Sequence, residues 1–430
     1  MCAETPEYKE TLNLPKTDFP MRAGLPKREP AWLERWEKLG IYDRLRTKTG
    51  RKSFTLHDGP PYANGNLHIG HALNKILKDM VVRSQQMMGH DARYIPGWDC
   101  HGLPIEWKIE ESYRQKGKNK DEVPVVDFRQ ECRTFAGQWV DVQREEFKRL
   151  GITGKWENPY MTMAFHAERV IAEEFMTFLM TGTLYQGYKP VMWSPVEKTA
   201  LAEAEIEYHD HKSHTIWVPF SFSKASQGLE NAQVVIWTTT PWTIPSNKAI
   251  AFNPKIAYGL YRVDETEEES WAKLGDLYLF ADNLAQGCLE KSRVTSFTRL
   301  RDVTVPELSE GVCQHPFATL NDFWSYEVPM IGGDHVTDDA GTGFVHTAPS
   351  HGADDYECFV SRGWTDRMTN NVGEASEFMP HVPFFAGLEV FDRKGREGKA
   401  NQAVITKLVE VGRIIARGRM THSYPHSWRS

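Results

Sequence analysis

Several features that define other classes of protein are missing from this sequence. No apolar run approaches the ~20 residues that a membrane-spanning helix needs, and the first six residues are too polar for a signal peptide. The six cysteines are scattered, and none stands in a Cys-x-x-Cys pair. This pattern excludes a disulfide framework and is typical of the reducing cytoplasm. We therefore expect a cytoplasmic protein with no membrane association.

An excess of positive charge is also missing. The chain has 51 Lys and Arg residues against 58 Asp and Glu residues, and its formal net charge is −7. Any nucleic-acid partner must therefore bind at local basic patches rather than over the whole surface. Residues 393–396 and 413–419 could form such patches, although each is more typical of an ordinary solvated surface.

The length of 430 residues is too great for a single core, and we expect two or three domains. A polar, Pro-punctuated arm precedes a helix that is predicted to begin at Pro30 and to continue through Tyr42. From about residue 51, short strands alternate with helices, which predicts a parallel α/β sheet of the Rossmann type. The predicted helices cover 70–88, 104–115, 126–150 and 165–181, and the predicted strands cover 55–56, 92–95 and 188–193. Strands then dominate from about residue 200 to 415.

The segment from Leu56 to His71 is the most informative part of the chain. Its Gly-Pro-Pro and Asn-Gly pairs follow an apolar strand and force an irregular turn. A helix is predicted to begin near Ile69, because apolar residues recur at helical spacing until Gly89. His68 and His71 then share one face of the first helical turn, beside free backbone N–H groups and the positive end of the helix dipole. Two imidazole donors there could stabilise negative charge that develops on an α-phosphate under attack.

Other interpretations of this region stay open. His-x-x-His spacing often arises by chance, and Cys100 with His101 could complete a zinc site instead. The Gly-Pro-Pro-Tyr-Ala-Asn-Gly segment and the strand before it favour the phosphate interpretation over both. Asp99, in an otherwise apolar turn, could bind an α-ammonium group, or it could simply form the turn.

A second set of polar residues follows an apolar strand far along the chain. Residues 234–237 predict a buried strand, and residues 238–247 then supply many hydroxyl and amide groups suited to a ribose and a carbonyl. An ordinary threonine-rich strand edge is the alternative. Residues 341–356 predict a strand, a loop and a helix start, where Asp354 or Asp355 could be no more than an N-cap.

The sequence His68-Ile69-Gly70-His71 is identical to a signature of the class I aminoacyl-tRNA synthetases. The chain resembles this family from about Asn13 to its last residue, and the segments 58–79 and 97–104 are most similar to its isoleucine-specific members. The valine-specific members are the nearest alternative. The resemblance implies a monomer that uses ATP with Mg²⁺, isoleucine and the tRNA for isoleucine.

The resemblance also implies roles for individual residues. His68 and His71 would be catalytic. The residues that would contact ATP are Pro61, Tyr62, Asn64, Gly65, His68, Gly70 and His71. Those that would bind the amino acid are Gly59, Pro60, Trp98 and Asp99. Those that would hydrolyse a misattached amino acid are Thr238, Thr239, Thr240, Asn247, His346 and Asp355, with Asp355 binding its amino group.

The domain order that the resemblance implies has four parts. Residues 1–50 form an arm and helix, residues 51–199 the first half of a Rossmann-type catalytic domain, residues 200–415 an inserted β-rich editing domain, and residues 416–430 the start of the return to the catalytic domain. No Lys-Met-Ser-Lys-Ser loop occurs in the sequence. The second half of the catalytic sheet and a C-terminal zinc module, the one place where the family would lead us to expect zinc, are missing as well.

We therefore expect either a fragment of a longer protein or a degenerate product, and in both cases a chain that is inactive in synthesis by itself. Two other classes of function stay open. One is a free-standing deacylase of mischarged tRNA, and the other is a tRNA-binding remnant without enzymatic activity.

Overall fold

The computed structural model describes residues 8–13, 16–18 and 22–429. The chain divides into two compact units, Met1–Gln186 and Gly187–Ser430. The first six residues, which bear on the signal-peptide prediction, lie outside the described residues, as does part of the predicted arm. Within the described ranges, no helix combines the length and the apolar character that crossing a membrane requires.

Helices make up most of the first unit. Its helices are α1 (Leu25–Lys38), α2 (Ile41–Arg46), α3 (Ile69–Met87), α4 (Leu103–Gln115), α5 (Val125–Arg149) and α6 (Phe165–Met180). Its strands are β1 (Ser53–Thr55), β2 (Asp91–Arg93), β3 (Gly97–Trp98) and β4 (Tyr160–Met161). The four helices predicted after residue 51 correspond to α3–α6 and are confirmed.

The strands of the first unit form two short parallel pairs rather than the single predicted sheet. β1 and β2 are parallel with α3 between them in the chain, so β1–α3–β2 is a βαβ unit. β3 pairs with β4, and an isolated bridge joins Tyr62 to Asp99. The strand predicted at 188–193 is wrong apart from Trp193, because residues 188–192 pair with no strand among the described residues.

The predicted N-terminal helix is two helices. α1 begins at Leu25 with Pro26 in its first turn, where a proline costs no hydrogen bond, so Pro30 lies inside the helix and does not open it. Gly40 has a φ of 58°, and this left-handed conformation separates α1 from α2.

The apolar stripe that predicted α3 does not face the core. Leu73, Leu77 and Met80 are 61%, 53% and 60% exposed. The buried residues of the helix are Lys75 and Val82. Helical spacing therefore predicted the helix correctly but not its buried face, because Lys75 turns inward to an acidic partner described below.

The second unit is built on one large mixed sheet. Its strands are β5 (Trp193–Ser194), β6 (Thr199–Ala200), β7 (Ile206–Lys224), β8 (Ala232–Thr238), β9 (Ala249–Phe252), β10 (Tyr258–Thr266), β11 (Leu277–Ala281), β12 (Val294–Val303), β13 (Val312–Gln314), β14 (Glu327–Gly332), β15 (Phe344–Thr347) and β16 (Ala416–Ser427). Its helices are α7 (Asp282–Lys291), α8 (Val305–Ser309), α9 (Ala353–Val360) and α10 (Ala400–Glu410). The sheet has the order β12-β10-β11-β8-β7-β13-β14-β9-β15, and β16 pairs with β7. The α/β class and the strand-rich second part are confirmed, whereas the domain boundaries at 50, 199 and 415 stay predictions.

The central strand β8 is buried on both faces. Val234 and Ile236 belong to one apolar cluster, while Val235 and the half-buried Trp237 pack in another. Side chains alternate between the faces of a strand, so a continuous apolar run predicts this double burial. The end of β8, where the threonine-rich segment begins, is consequently supported from both sides.

The two ends of the second unit meet. β16 pairs with β7 in antiparallel register from Ala416↔Trp217 to Ser427↔Ile206. Beyond β16, the buried guanidinium of Arg429 pairs with the buried carboxylate of Glu197 at 3.1 Å. The Ser427 hydroxyl donates to the same carboxylate at 2.6 Å. This contact closes the unit.

His315 and His346 of the second unit are buried and His351 is half-buried, and this burial makes their stability contribution depend on pH. It lowers the pKa of His315 and His346 to about 3 and that of His351 to about 4. In the unfolded chain the imidazole pKa is about 6.5. Below about pH 6.5 the unfolded chain therefore binds protons that the folded unit does not, and stability falls as the pH falls.

We expect the free energy of unfolding of the second unit to fall between about pH 6.5 and 4, by about 1.4 kcal/mol per pH unit for each buried histidine. His315→Gln should reduce the slope of the free energy of unfolding against pH by the contribution of one proton, whatever its effect on absolute stability. His209→Gln, at a side chain that is 60% exposed, is the matched control. Urea unfolding followed by β-sheet circular dichroism measures the slope. If His315→Gln leaves the slope unchanged, His315 does not have the lowered pKa that its burial implies.

Candidate functional site

The two signature histidines cap α3 reciprocally. Nδ1 of His68 accepts hydrogen bonds from the backbone N–H groups of Gly70 and His71, at 3.1 and 3.4 Å. The N–H of His68 donates to Nδ1 of His71 at 3.3 Å. The two rings stack with their centroids 3.7 Å apart. Because a neutral imidazole with an accepting Nδ1 carries its proton on Nε2, both rings present an Nε2–H donor.

This capping corrects one sequence-based expectation. The N–H groups of Gly70 and His71 are not free for a ligand, because His68 already accepts them. The donors that the helix start offers an anion are thus the imidazole Nε2–H groups and the N–H of Ile69, for which no acceptor is found among the described residues. Burial lowers the pKa of His71, and the nearby His68 and Lys75 lower it further, so that ring is neutral at neutral pH.

A buried carboxylate supports the start of the turn. Asp58 accepts hydrogen bonds from Nζ of Lys75, from Nζ of Lys78 at 2.7 Å and from the N–H of Gly97 at 2.9 Å. Burial opposes ionisation of Asp58, but the two ammonium groups outweigh it and the pKa of the carboxyl is lowered. Gly59 and Pro60 follow directly, so this carboxylate ties the turn to β3.

Asp99 lies beside the turn. Its N–H donates to the carbonyl of Pro61 at 2.8 Å, and its own carbonyl accepts from Ala63 at 3.0 Å. Its Oδ1 accepts from the Thr162 hydroxyl at 3.3 Å. No donor among the described residues bonds to Oδ2, which leaves one carboxylate oxygen for an ammonium ligand. The structure thus places Asp99, which is predicted to bind the amino acid, beside the turn that is predicted to contact ATP.

Trp98 and Gln143 are buried behind these groups. Trp98 is 0% exposed, and its Nε1 donates to Oε1 of Gln143 at 2.9 Å. This is the position of a packing residue, and the predicted contact of Trp98 with the amino acid stays a prediction. Sequence reasoning missed Gln143, which is also 0% exposed. It lies on the buried stripe of α5 with Val140 and Phe147, and a glutamine on such a stripe could have identified it.

The zinc interpretation finds no support in the geometry. Cys100 is buried, and burial raises the pKa of its thiol to about 11. Nε2 of His101 lies 3.1 Å from a carboxylate oxygen of Glu168. In the part of the chain that the structure describes, no three His, Cys, Asp or Glu side chains are arranged to bind a metal ion.

A second candidate site lies at the end of β8. The hydroxyls of Thr238 and Thr240 are 3.1 Å apart. The Thr243 hydroxyl donates to the carbonyl of Thr240 at 2.8 Å and lies 2.8 Å from Nε2 of His346. Nδ2 of Asn247 donates to Nδ1 of His346 at 2.8 Å. These bonds place the proton of the neutral His346 on Nε2. Thr243 was not predicted, although it lies in the same threonine-rich segment.

Two polar groups of the second site have no partner among the described residues. Oδ1 of Asn247 is buried and accepts no hydrogen bond. The hydroxyl of the half-buried Thr239 likewise makes none within the described ranges. A buried acceptor without a donor is costly, but Asn247 is 0% exposed, and its predicted contact with a ligand stays a prediction.

Asp355 is not the N-cap of α9. The N-cap is Gly352, and Asp355 lies within the first turn, so the capping interpretation is wrong for both Asp354 and Asp355. Oδ2 of Asp355 accepts from the N–H of Ala348 at 2.8 Å, two residues after His346. Burial raises the pKa of Asp355, so a cationic partner would favour its ionised form.

The chain was compared with known proteins. The family model for tRNA synthetases class I (I, L, M and V) matches residues 31–392. The isoleucine–tRNA ligase of Ruegeria pomeroyi is 62% identical over the whole chain, which covers 45% of that relative. The isoleucine–tRNA ligase of Bradyrhizobium diazoefficiens is 54% identical over the whole chain, which covers 44% of it. The chain therefore spans about half the length of the curated relatives it matches.

A solved LeuRS–tRNA–LeuAMS complex from Agrobacterium radiobacter is 16% identical, with a TM-score of 0.36 over 94% of this chain and 47% of that chain. The residues matched by the family model, 31–392, make up most of the sequence and include both candidate sites. The chain belongs to the class I tRNA synthetases.

Proposed function

We propose that the chain provides the activating and editing parts of an isoleucine–tRNA ligase. The carboxylate of isoleucine attacks the α-phosphorus of ATP to give isoleucyl adenylate and pyrophosphate, and the acyl group then passes to the 3′ end of the tRNA. Mg²⁺ enters with ATP. The similarity to isoleucine–tRNA ligases over the whole chain supports this specificity. We further propose a monomer that works in the cytoplasm.

The observation that carries the proposal is the stacked histidine pair. His68 and His71 present two Nε2–H donors at the start of α3, within a βαβ unit. Attack on the α-phosphorus increases the negative charge on its oxygens, and donors aimed at that charge bind the transition state more strongly than the ground state. Pro61, Tyr62, Asn64 and Gly65 shape the turn that ATP would contact.

The amino acid would bind next to this turn. The unused Oδ2 of Asp99 would accept the α-ammonium group, while Gly59 and Pro60 would contact the amino acid through their backbone. The bridge between Tyr62 and Asp99 would keep the two ligands of the reaction adjacent. Adjacency of the carboxylate and the α-phosphorus is itself a large part of catalysis.

The second site would correct errors of the first. Isoleucine and valine differ by one methylene, which contributes only about 1–3 kcal/mol to discrimination, a figure established on isoleucine-specific synthetases themselves. A second pocket that admits only the smaller valyl ester multiplies the selectivity. We assign the substrate ammonium to Asp355, while the wholly buried Asn247 would hold the ring of His346 in place. Thr238, Thr239, Thr240 and His346 would line the pocket and orient water toward the ester carbonyl.

A deacylase of mischarged tRNA is the second candidate function. It is favoured by one observation, namely that every residue assigned to editing lies within the second unit, Gly187–Ser430. Hydrolysis of valyl-tRNA without isoleucine-dependent adenylate formation would select this candidate.

The first test is isoleucine-dependent exchange of pyrophosphate into ATP. It is measured with the chain alone and with the chain mixed with the remaining carboxyl-terminal part of the Ruegeria pomeroyi ligase. His68→Ala and His71→Ala should each slow exchange by about 10²–10³ with little change in the KM for ATP, because donors to developing charge act in the transition state. His166→Ala, at an exposed residue of α6, is the control.

Two results would overturn parts of this proposal. Equal losses in ATP binding and in rate would make the two histidines structural. Exchange that valine supports better than isoleucine would identify a valine-specific enzyme instead.

The second test is hydrolysis of valyl-tRNA for isoleucine by the full chain. Asp355→Ala should slow hydrolysis by about 10-fold to 10²-fold, because a charge-assisted hydrogen bond to the substrate contributes about 1.5–3 kcal/mol. Neither the unaltered chain nor the variants should hydrolyse isoleucyl-tRNA. Asp354→Ala, one residue earlier in the same helical turn and exposed, is the matched control. If Asp355→Ala lowers the melting temperature yet hydrolyses valyl-tRNA normally, the assignment of Asp355 is wrong.

A further inference from the structure

The loop that leads into the histidine pair has almost no hydrogen bonds of its own. Across residues 62–66 in the described chain, Ala63 is the only residue whose backbone N–H donates to a backbone carbonyl. The loop is also exposed at Tyr62, which is 45% accessible. A loop of this kind samples many conformations unless other groups constrain it.

Two side chains of α5 supply the constraint. Nε2 of the wholly buried Gln143 donates to the carbonyl of Tyr62 at 3.0 Å and to that of Gly65 at 2.7 Å. One turn later, Glu146 accepts from Nδ2 of Asn66 at 2.7 Å and from the N–H of Leu67 at 2.9 Å. Leu67 directly precedes His68. The pair therefore spans the loop from its first residue to the helix cap, and we call it the α5 clamp.

Gln143 also reaches the amino-acid side of the site. Its Oε1 accepts from Nε1 of the buried Trp98 at 2.9 Å, and Trp98 directly precedes Asp99. One side-chain amide thus bonds both to the ATP turn, residues 61–65, and to β3, which Asp99 directly follows. Its two N–H donors and its oxygen are all used, so its orientation is determined from both sides.

We propose that Gln143 and Glu146 are positioning residues that set the geometry of the ATP turn and its histidine pair relative to Asp99. This inference rests on the proposed function of that site. Neither residue touches the reacting groups. Their effect on the reaction comes through the position of His68, His71 and Asp99, for which a displacement of about 1 Å can cost about 10²-fold in rate.

The test compares two isosteric variants with a neighbouring control. Gln143→Glu keeps the acceptor for Trp98 but removes both N–H donors to the loop. Glu146→Gln keeps the shape but removes the charge that accepts from Asn66 and Leu67. Glu145→Gln is the control, because Glu145 is 73% exposed and its ion pair with Lys148 at 3.5 Å lies on the surface.

Hydrogen exchange of the full chain without substrate is the first measurement. Both clamp variants should speed amide exchange in residues 62–72 by about tenfold, while Glu145→Gln should not. Isoleucine-dependent pyrophosphate exchange in the mixture described above is the second. There, Gln143→Glu should lower kcat by about 10²-fold and change the KM for isoleucine and for ATP much less.

The outcomes separate the possibilities. If hydrogen exchange in residues 62–72 is unchanged in both clamp variants, the inference is overturned. Faster hydrogen exchange and a lower melting temperature with normal kcat per folded molecule would also overturn it, because the clamp would then be structural only. If the unaltered chain supports no isoleucine-dependent reaction in the mixture, the proposed function fails, and hydrogen exchange still decides whether the clamp orders the loop.

Discussion

The reciprocal hydrogen bonds between His68 and His71 are the interaction on which the candidate site of the first unit depends. They stack the two rings, satisfy two amides of the helix start and leave both Nε2–H groups directed away from the backbone. Because the cap uses the amides of Gly70 and His71, the side-chain donors left at this helix start are the two imidazole Nε2–H groups. Donors held in fixed positions bind an anion with developing charge more strongly than its ground state.

The second unit also contains a histidine whose tautomer is fixed by hydrogen bonds. His346 is buried, neutral and bonded at both ring nitrogens, to Asn247 and Thr243. These two hydrogen bonds hold the ring in one tautomer. In both units, neutral histidines with fixed tautomers organise a site in which no cluster of metal ligands is found among the described residues.

Local patterns predicted much of this architecture, and tertiary contacts decided the remainder. The spacing of apolar residues and the stop at Gly89 predicted α3 to within one residue, because helix formation is governed by neighbours in the chain. The same spacing could not show that Leu73 is exposed and Lys75 buried, since the partner of Lys75 is Asp58, on a separate element. Gln143 was missed for the same reason, because its partners lie about 80 residues away in sequence.

The protonation state of the histidine pair is the central claim, and nitrogen-15 NMR of the labelled imidazoles tests it most directly. At neutral pH, the account predicts that His68 and His71 both carry their proton on Nε2 and have an unprotonated, hydrogen-bonded Nδ1. His68→Gln and His71→Gln assign the two signals. A proton on Nδ1 of either ring would contradict the account.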